Sequence, residues 1–446
     1  MSIWEYRPQT IALIPDALIF LSSGMNLALG LGYSYYQVSN HFRFAWFIGV
    51  IAGVLLSAPL IQISIKRYFV LLSSFVVVVS GIVYTVCPHD EVALLAARYL
   101  NGIGTGLITV PFIMHCSEIS IISRRGGHLG IEQFSIAIGI FIQATYTGFW
   151  SGGITISANR VHGICCLTFG LIALGLAYIV IESPVFFVRL VNDAQALDCL
   201  TRLQLPTVLT DEKKALLEEH KNYVMMNEYL GKNESFTRGL GPLARMILYR
   251  AAVAFTFSYF YNEQLMLGSV WGITSGNQWP WTIYAALRIL GVFTAVTMLD
   301  LIGRKIPSLI GLLVMGGLGI GIAVLFAHRD NWQNGYQMSM ACALLMIFQF
   351  FAGLYAPTST LYLGEAFPML LKPYFIALCI SVECAVHIIV ICTYHMNLHV
   401  FAYDTFTYAY LFACFLLFLF TIPDTKLTTL NEAQERFRAW NHWRSW

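Results

Sequence analysis

The sequence predicts an all-α polytopic membrane protein whose twelve transmembrane helices form two six-helix halves. Three observations carry that expectation. Composition is the first: 57% of the 446 residues are hydrophobic and 11% charged, with a mean hydropathy of +0.67, whereas a soluble domain has roughly 25% charged residues. Such a chain cannot cover its surface with charge, and it folds if most of that surface faces lipid. The second is the recurrence of apolar runs long enough to cross a hydrocarbon core of about 30 Å at about 1.5 Å per residue. The third is a single long polar passage, from about Pro184 to Arg250, with six apolar runs on either side. A long middle connection between two sets of spans is how transporter half-bundles are joined.

In chain order the expected spans fall at about 11–36, 44–64, 69–87, 92–116, 129–150 and 161–182. They resume at about 247–270, 280–299, 306–327, 337–363, 374–395 and 401–422. Asn262, Glu263 and Arg288 sit inside two of the later runs, so the edges of those runs are free to slide. The expected organisation is an N-terminal half over 1–184, a cytoplasmic linker with short helices over 185–246, a C-terminal half over 247–422 and a cytoplasmic tail over 423–446.

Orientation follows from the bases in the connections. With a cytoplasmic N-terminus, the inner segments hold Arg7, Lys66, Arg67, Arg124, Arg125, the linker bases through Arg250, Arg304, Lys305, Lys372, Lys426, Arg436, Arg438 and Arg444. The outer ones hold only Arg43, Arg160 and Arg329. Both termini are therefore expected in the cytoplasm, and the protein is expected in the plasma membrane.

In the linker, Asp211 and Glu212 suit a helix N-terminus, and Leu216, Leu217, Tyr223 and Val224 give one apolar face. Gly102, Gly104 and Gly106 line one helix, as do Gly311, Gly316, Gly317, Gly319 and Gly321. Small residues of this kind serve either close static packing or sliding of one helix on another. Bends or breaks are expected at Pro59, Pro111 and Pro357. The bases form no stripe with interleaved aromatics, so nucleic acid is not an expected partner. No metal cluster, phosphate loop or soluble acid-base dyad is present, so neither enzyme chemistry, a metal nor a cofactor is implied, and the cysteines read as small buried hydrophobes.

Several motifs, in order, carry a resemblance. Ala97-Arg98-Tyr99 with the following glycines, then Pro111 and Ser117-Glu118-Ile119, resemble a fourth helix and its exit. Arg125-Gly126 through Gln133 resembles RGxLGxxxQ, and Glu182-Ser183-Pro184 the start of PESPR. Asp300 through Lys305 resembles DRxGRR, Glu365-Ala366-Phe367-Pro368 resembles ExFP, and Pro423 through Glu432 resembles PETKxxTLxE. From about Gly24 to Glu432 the chain resembles the sugar porter family of the major facilitator superfamily, the group that includes facilitative glucose carriers and insect trehalose carriers. The resemblance implies the major facilitator fold and alternating access.

Charges at the span ends suit a two-state gate. Arg67, Glu118, Arg124 and Arg125 in the first half, and Asp300, Arg304, Lys305, Glu365 and Lys372 in the second, place acids beside bases where they can close one conformation and separate in another. Snorkelling at span ends is the other reading of each charge taken singly. For solute contact, Gln133 stands at the family's sugar position; Gln264, Asn26, Tyr33 and Thr360 add amide and hydroxyl groups. Helix-helix hydrogen bonding is the alternative role of each.

The chain also departs from the family's pattern. Gly32-Tyr33-Ser34 stands where many porters have GYD, which argues for a uniporter; Glu383, mid-span, is the competing candidate for coupling. Gln62 through Arg67 lacks the Asp and Gly of its motif; Glu263, Thr360 and Cys384 occupy positions of a Gln and two Trp residues. The resulting expectation is facilitative transport of a small neutral solute, a sugar first, by a protein in contact with membrane lipid. The alternative is a transporter-like protein that senses solute or carries a non-sugar organic solute.

Overall fold

The computed structural model describes residues 3–34, 38–150, 155–273, 279–440 and 442; Arg444, counted above among the bases, lies outside them. Among these residues every regular element is helical. Before the linker come α1 (Arg7–Ala12), α2 (Ile14–Gly30), α3 (Asn40–Leu60), α4 (Lys66–Val86), α5 (Glu91–Ile119), α6 (Arg125–Gly148) and α7 (Ala158–Leu176). The linker holds α8 (Pro184–Arg189), α9 (Asp193–Leu203) and α10 (Asp211–Tyr229). After it come α11 (Lys232–Thr256), α12 (Tyr259–Gly268), α13 (Trp279–Leu301), α14 (Lys305–Ala327), α15 (Gly335–Glu365), α16 (Lys372–Thr393), α17 (Met396–Thr421) and α18 (Leu430–Arg438).

Ten helical runs among the described residues are long and apolar enough to cross a membrane: α3, α4, α5, α7, the α11–α12 run, and α13 through α17. The chain is thus an all-α polytopic membrane protein. Two further helices stand where spans were expected. α2 is apolar but has only 17 residues. α6 has 24 residues and reads as more polar because it buries Arg125, His128, Glu132, Gln133 and Gln143 within the bundle.

Local sequence explains several boundaries. The Asp90 carboxylate accepts from Val92 and Ala93 N–H at the start of α5, and Thr210 accepts from Lys213 N–H at the start of α10. Pro59, Pro111 and Pro357 lie inside helices that continue through them. The discontinuity of the α11–α12 run falls instead at Phe257 and Ser258, where no proline stands. On its linker side that run begins at Lys232, well before the apolar stretch, because a helix continues past the membrane boundary that hydropathy detects.

Packing divides at the linker. α3 lies along α5, α4 on α7 and α2 on α6; later, α15 packs on α13 and α14, α14 on α17 and α11 on α16. The α3–α5 seam is a backbone contact: a Cβ on Gly102 would come within 2.2 Å of the Trp46 carbonyl oxygen, and one on Gly106 within 2.3 Å of that of Val50. Here the glycines serve close approach. Across the divide, α6 meets α13 and α15, and α3 meets α16. The linker helices close over one end of the bundle through Val185, Leu200, Leu217 and Val224, packed with Met369 and Leu430. That end is called the linker end below, and the opposite one the far end.

Candidate solute pathway

The helices before and after the linker are joined at both ends of the bundle, by different chemistry. At the linker end, Glu365 at the C-terminus of α15 receives Arg125 from α6 at 3.1 Å and Arg304 from the start of α14 at 3.3 Å, and its carboxylate is fully buried. Thr425 donates to its other oxygen. Asp300 at the end of α13 accepts from the N–H groups of Gly126 and Gly127 at 3.0 and 2.8 Å, at the α6 N-terminus where a helix favours an anion. Lys372 donates to Ser117 at 2.9 Å, and Gln62 to the Leu370 carbonyl at 2.7 Å.

Other gate candidates are tied within their own side. Glu118 pairs with Lys66 at 3.3 Å, and Lys66 also holds Glu182 at 3.2 Å. Lys305 donates to the His442 carbonyl at 3.2 Å. Arg124 is half-buried, and Arg67 is exposed. Beneath this end the linker helix α10 carries His220, whose imidazole is pushed down to about 4 by burial.

At the far end, rings make the join. Tyr33 stacks on Phe257 at 5.6 Å and meets Trp281 edge-on at 5.2 Å; Phe47 stacks on His387 at 4.7 Å. The Arg43 guanidinium lies 4.3 Å from the centre of the Tyr259 ring. Gly32 beside Tyr33 has φ +101° and approaches Asn262 so closely that a Cβ would sit 2.4 Å from its side-chain nitrogen, which only glycine allows. Gln143 holds the Tyr33 carbonyl at 2.9 Å.

Between the two ends lies a charged cluster. Arg250 of α11 pairs with Glu383 of α16 at 3.0 Å and reaches across the divide to Glu132 of α6 at 3.8 Å; Thr360 of α15 donates to the same Glu132. Arg250 was counted among the linker's bases, yet it is 1% exposed. Nearby, Arg288 donates to Gln349 at 3.1 Å.

Of the residues expected to touch solute, Gln133 adjoins Glu132 and is buried, with no hydrogen bond from its amide to a described residue, and Thr360 joins the charged cluster. Gln264 is placed elsewhere: its amide donates to both carboxylate oxygens of Asp404 on α17 at 2.8 Å. From Arg250 to Gln264 the chain rises on the order of 20 Å at helical pitch. Asn26 is engaged within the first group, donating to the Ser22 carbonyl at 3.1 Å, while its own carbonyl takes Arg98 at 3.2 Å. Tyr33 belongs to the far-end closure.

Residues 34–437 match the model of a family described as sugar (and other) transporter. The chain belongs to the sugar (and other) transporter family. Hexose transporter 1 of Plasmodium knowlesi is 25% identical over 352 residues, spanning 73% of this chain and 68% of that protein. The galactose-proton symporter of Escherichia coli K12 is 23% identical over 371 residues, spanning 80% and 77%. Among solved structures, the major facilitator superfamily proton:xylose symporter XylE, bound to 6-bromo-6-deoxy-D-glucose, superposes with a TM-score of 0.78 at 18% identity, over 98% of this chain and 100% of that one. That likeness gives the fold.

Within this sugar transporter family chain, sequence reasoning passed over Glu132, Arg250 and Asp404. A signal was available: all three lie inside runs drawn as spans, and an ionisable residue at that depth is costly unless it has a use. The family match begins at Ser34, so Asn26 and Tyr33 precede it, while Gln133, Gln264, Thr360 and Glu383 fall within it.

Proposed function

We propose that this chain is a facilitative carrier of a small neutral solute, in first place a sugar, working by alternating access. Its twelve spans form two six-helix halves, over 1–184 and 247–422, joined by the cytoplasmic linker over 185–246 and followed by the cytoplasmic tail over 423–446, with both termini on the cytoplasmic side of the plasma membrane. The observation that carries the reading is that residues from opposite sides of the linker meet at both ends of the bundle, with polar groups between. Gln133 in the family's solute motif, and relatives named for hexose and galactose, support a sugar. Ser34, in place of the acid of related symporters, supports a uniporter.

Uptake of radiolabelled sugars, polyols and organic ions into proteoliposomes tests this. Equilibrating, gradient-independent entry of a sugar is expected. Solute-dependent pH change that vanishes in Glu383→Gln would replace uniport with coupling. A specific observation favours a second reading, sensing or carriage of a non-sugar solute: Thr360 and Cys384 replace ring-stacking residues, and Gln264 is held by Asp404. That reading takes first place if no hexose or disaccharide enters or competes at tens of millimolar.

A further inference from the structure

Arg250 presents an unusual combination of charge, burial and unmet hydrogen bonding. It is 1% exposed, and its Nη1 faces Glu383 at 3.0 Å. Its Nε and Nη2 have no hydrogen-bond acceptor among the described residues, since Glu132 stands 3.8 Å from Nη2. Nε–H and Nη2–H point from the same edge of the planar guanidinium, the edge that takes two oxygens side by side. Leaving two buried donors of a cation unmet is costly. Glu132 of α6, from the other side of the linker, stands 3.8 Å from Nη2.

The flanking charges decide what fits. Glu132 and Glu383 are acceptors, and Thr360 already donates to Glu132. An organic anion would bring a third negative charge beside two carboxylates, and a simple cation would meet Arg250. A neutral pair of adjacent hydroxyls satisfies every group: each oxygen accepts from the guanidinium edge, and each hydroxyl proton is donated to a carboxylate. We propose that Arg250, with Glu132 and Glu383, forms the solute-recognising centre of this carrier and selects solutes bearing a vicinal diol. This rests on the sugar-carrier reading above and gives it a site built from charges, whereas the family motifs point to amides and aromatic rings.

The test uses the purified full-length chain in proteoliposomes, with labelled D-glucose, D-galactose and myo-inositol as tracers and their monodeoxy analogues as competitors. The expected result is entry of at least one tracer, with a roughly ten- to hundredfold weaker competition by the analogue that lacks one hydroxyl of the recognised pair. Arg250→Lys keeps the charge and removes the two-pronged edge. It should weaken the parent solute by about the same factor and erase the difference between parent and analogue. A folded Arg250→Lys protein, by gel filtration and thermal stability, that keeps both affinity and discrimination overturns the proposal. If Arg250→Lys does not fold, Glu132→Gln decides: narrowed discrimination supports the site, and unchanged discrimination rejects it. Wild-type vesicles that admit none of the three tracers reject the sugar reading itself, whereas uptake indifferent to Arg250 and Glu132 rejects this site alone.

Discussion

The two ends of the bundle are joined by opposite means. At the linker end a buried carboxylate, Glu365, holds two guanidinium groups, and Asp300 caps the N-terminus of α6. At the far end the contacts are rings: Tyr33 on Phe257 and Trp281, and Phe47 on His387. Charge pairing is directional and fails as a unit when one partner goes, because the remaining charge is left buried. Ring packing is graded, and each pair contributes about 0.5–1.5 kcal/mol beyond its burial. A carrier of the proposed kind would then have one sharp closure and one soft one, so substitutions at the two ends should differ in size and in kind.

The largest effect is expected from Glu365→Gln. It leaves Arg125 and Arg304 without their shared anion, at about 3–5 kcal/mol to the closed linker end. Hydrogen exchange at the Gly126 and Gly127 amides, which Asp300 covers only while that end is shut, should accelerate by roughly two orders of magnitude. Unchanged exchange in a folded variant would remove the distinction between the ends. Asp300→Asn should act in the same direction but less, about 1–3 kcal/mol, because it weakens two charge-assisted hydrogen bonds without stranding a cation. The same amides report it.

Tyr33→Leu sharpens the contrast from the other side. It keeps apolar bulk and loses the ring pairs, so the far end should open by about 1–2 kcal/mol, measured as faster labelling of a cysteine introduced for the buried Ser258, which leaves Phe257 in place, in a background cleared of other reactive thiols. The change should be independent of pH; a response as large as that of Glu365→Gln would contradict a graded closure. The smallest effect concerns the linker. Half-buried His220 has its proton affinity depressed by desolvation from 6.5 to about 4 in the folded state, so above pH 6.5 both folded and unfolded forms are neutral and docking is complete. As pH falls from 6.5 toward 4 the unfolded form gains the proton first, and the docking of α10 should weaken. Hydrogen exchange across α10 should rise over that window in the wild type and not in His220→Gln.

How much was legible depended on how local the cause was. The spans were, since an apolar run of sufficient length declares its solvent wherever it sits in the chain. The linker helices were too: Asp211 and Glu212 stand in the first turn of α10, and Leu217, Tyr223 and Val224 are buried on one face. Arg250 was legible only as a charge inside an expected span, because hydropathy cannot show that α11 runs unbroken from Lys232 and carries this guanidinium into the bundle. The break at Phe257 and Ser258 was equally hidden, as neither is a residue that stops helices by itself.

The sequence by itself determined the solvent, the order of the apolar runs, the polar joint between them, and the family, because each depends on composition or on motifs contiguous in the chain. Only the tertiary structure decided which charges meet. Glu365 lies 240 residues from Arg125, and Thr360 lies 228 from Glu132. Such pairings arise where helices from either side of the linker cross, and no periodicity within one helix encodes its partner on another. For the same reason only the packing could show that Gln264 is held by Asp404 while Arg250 reaches Glu132 across the divide.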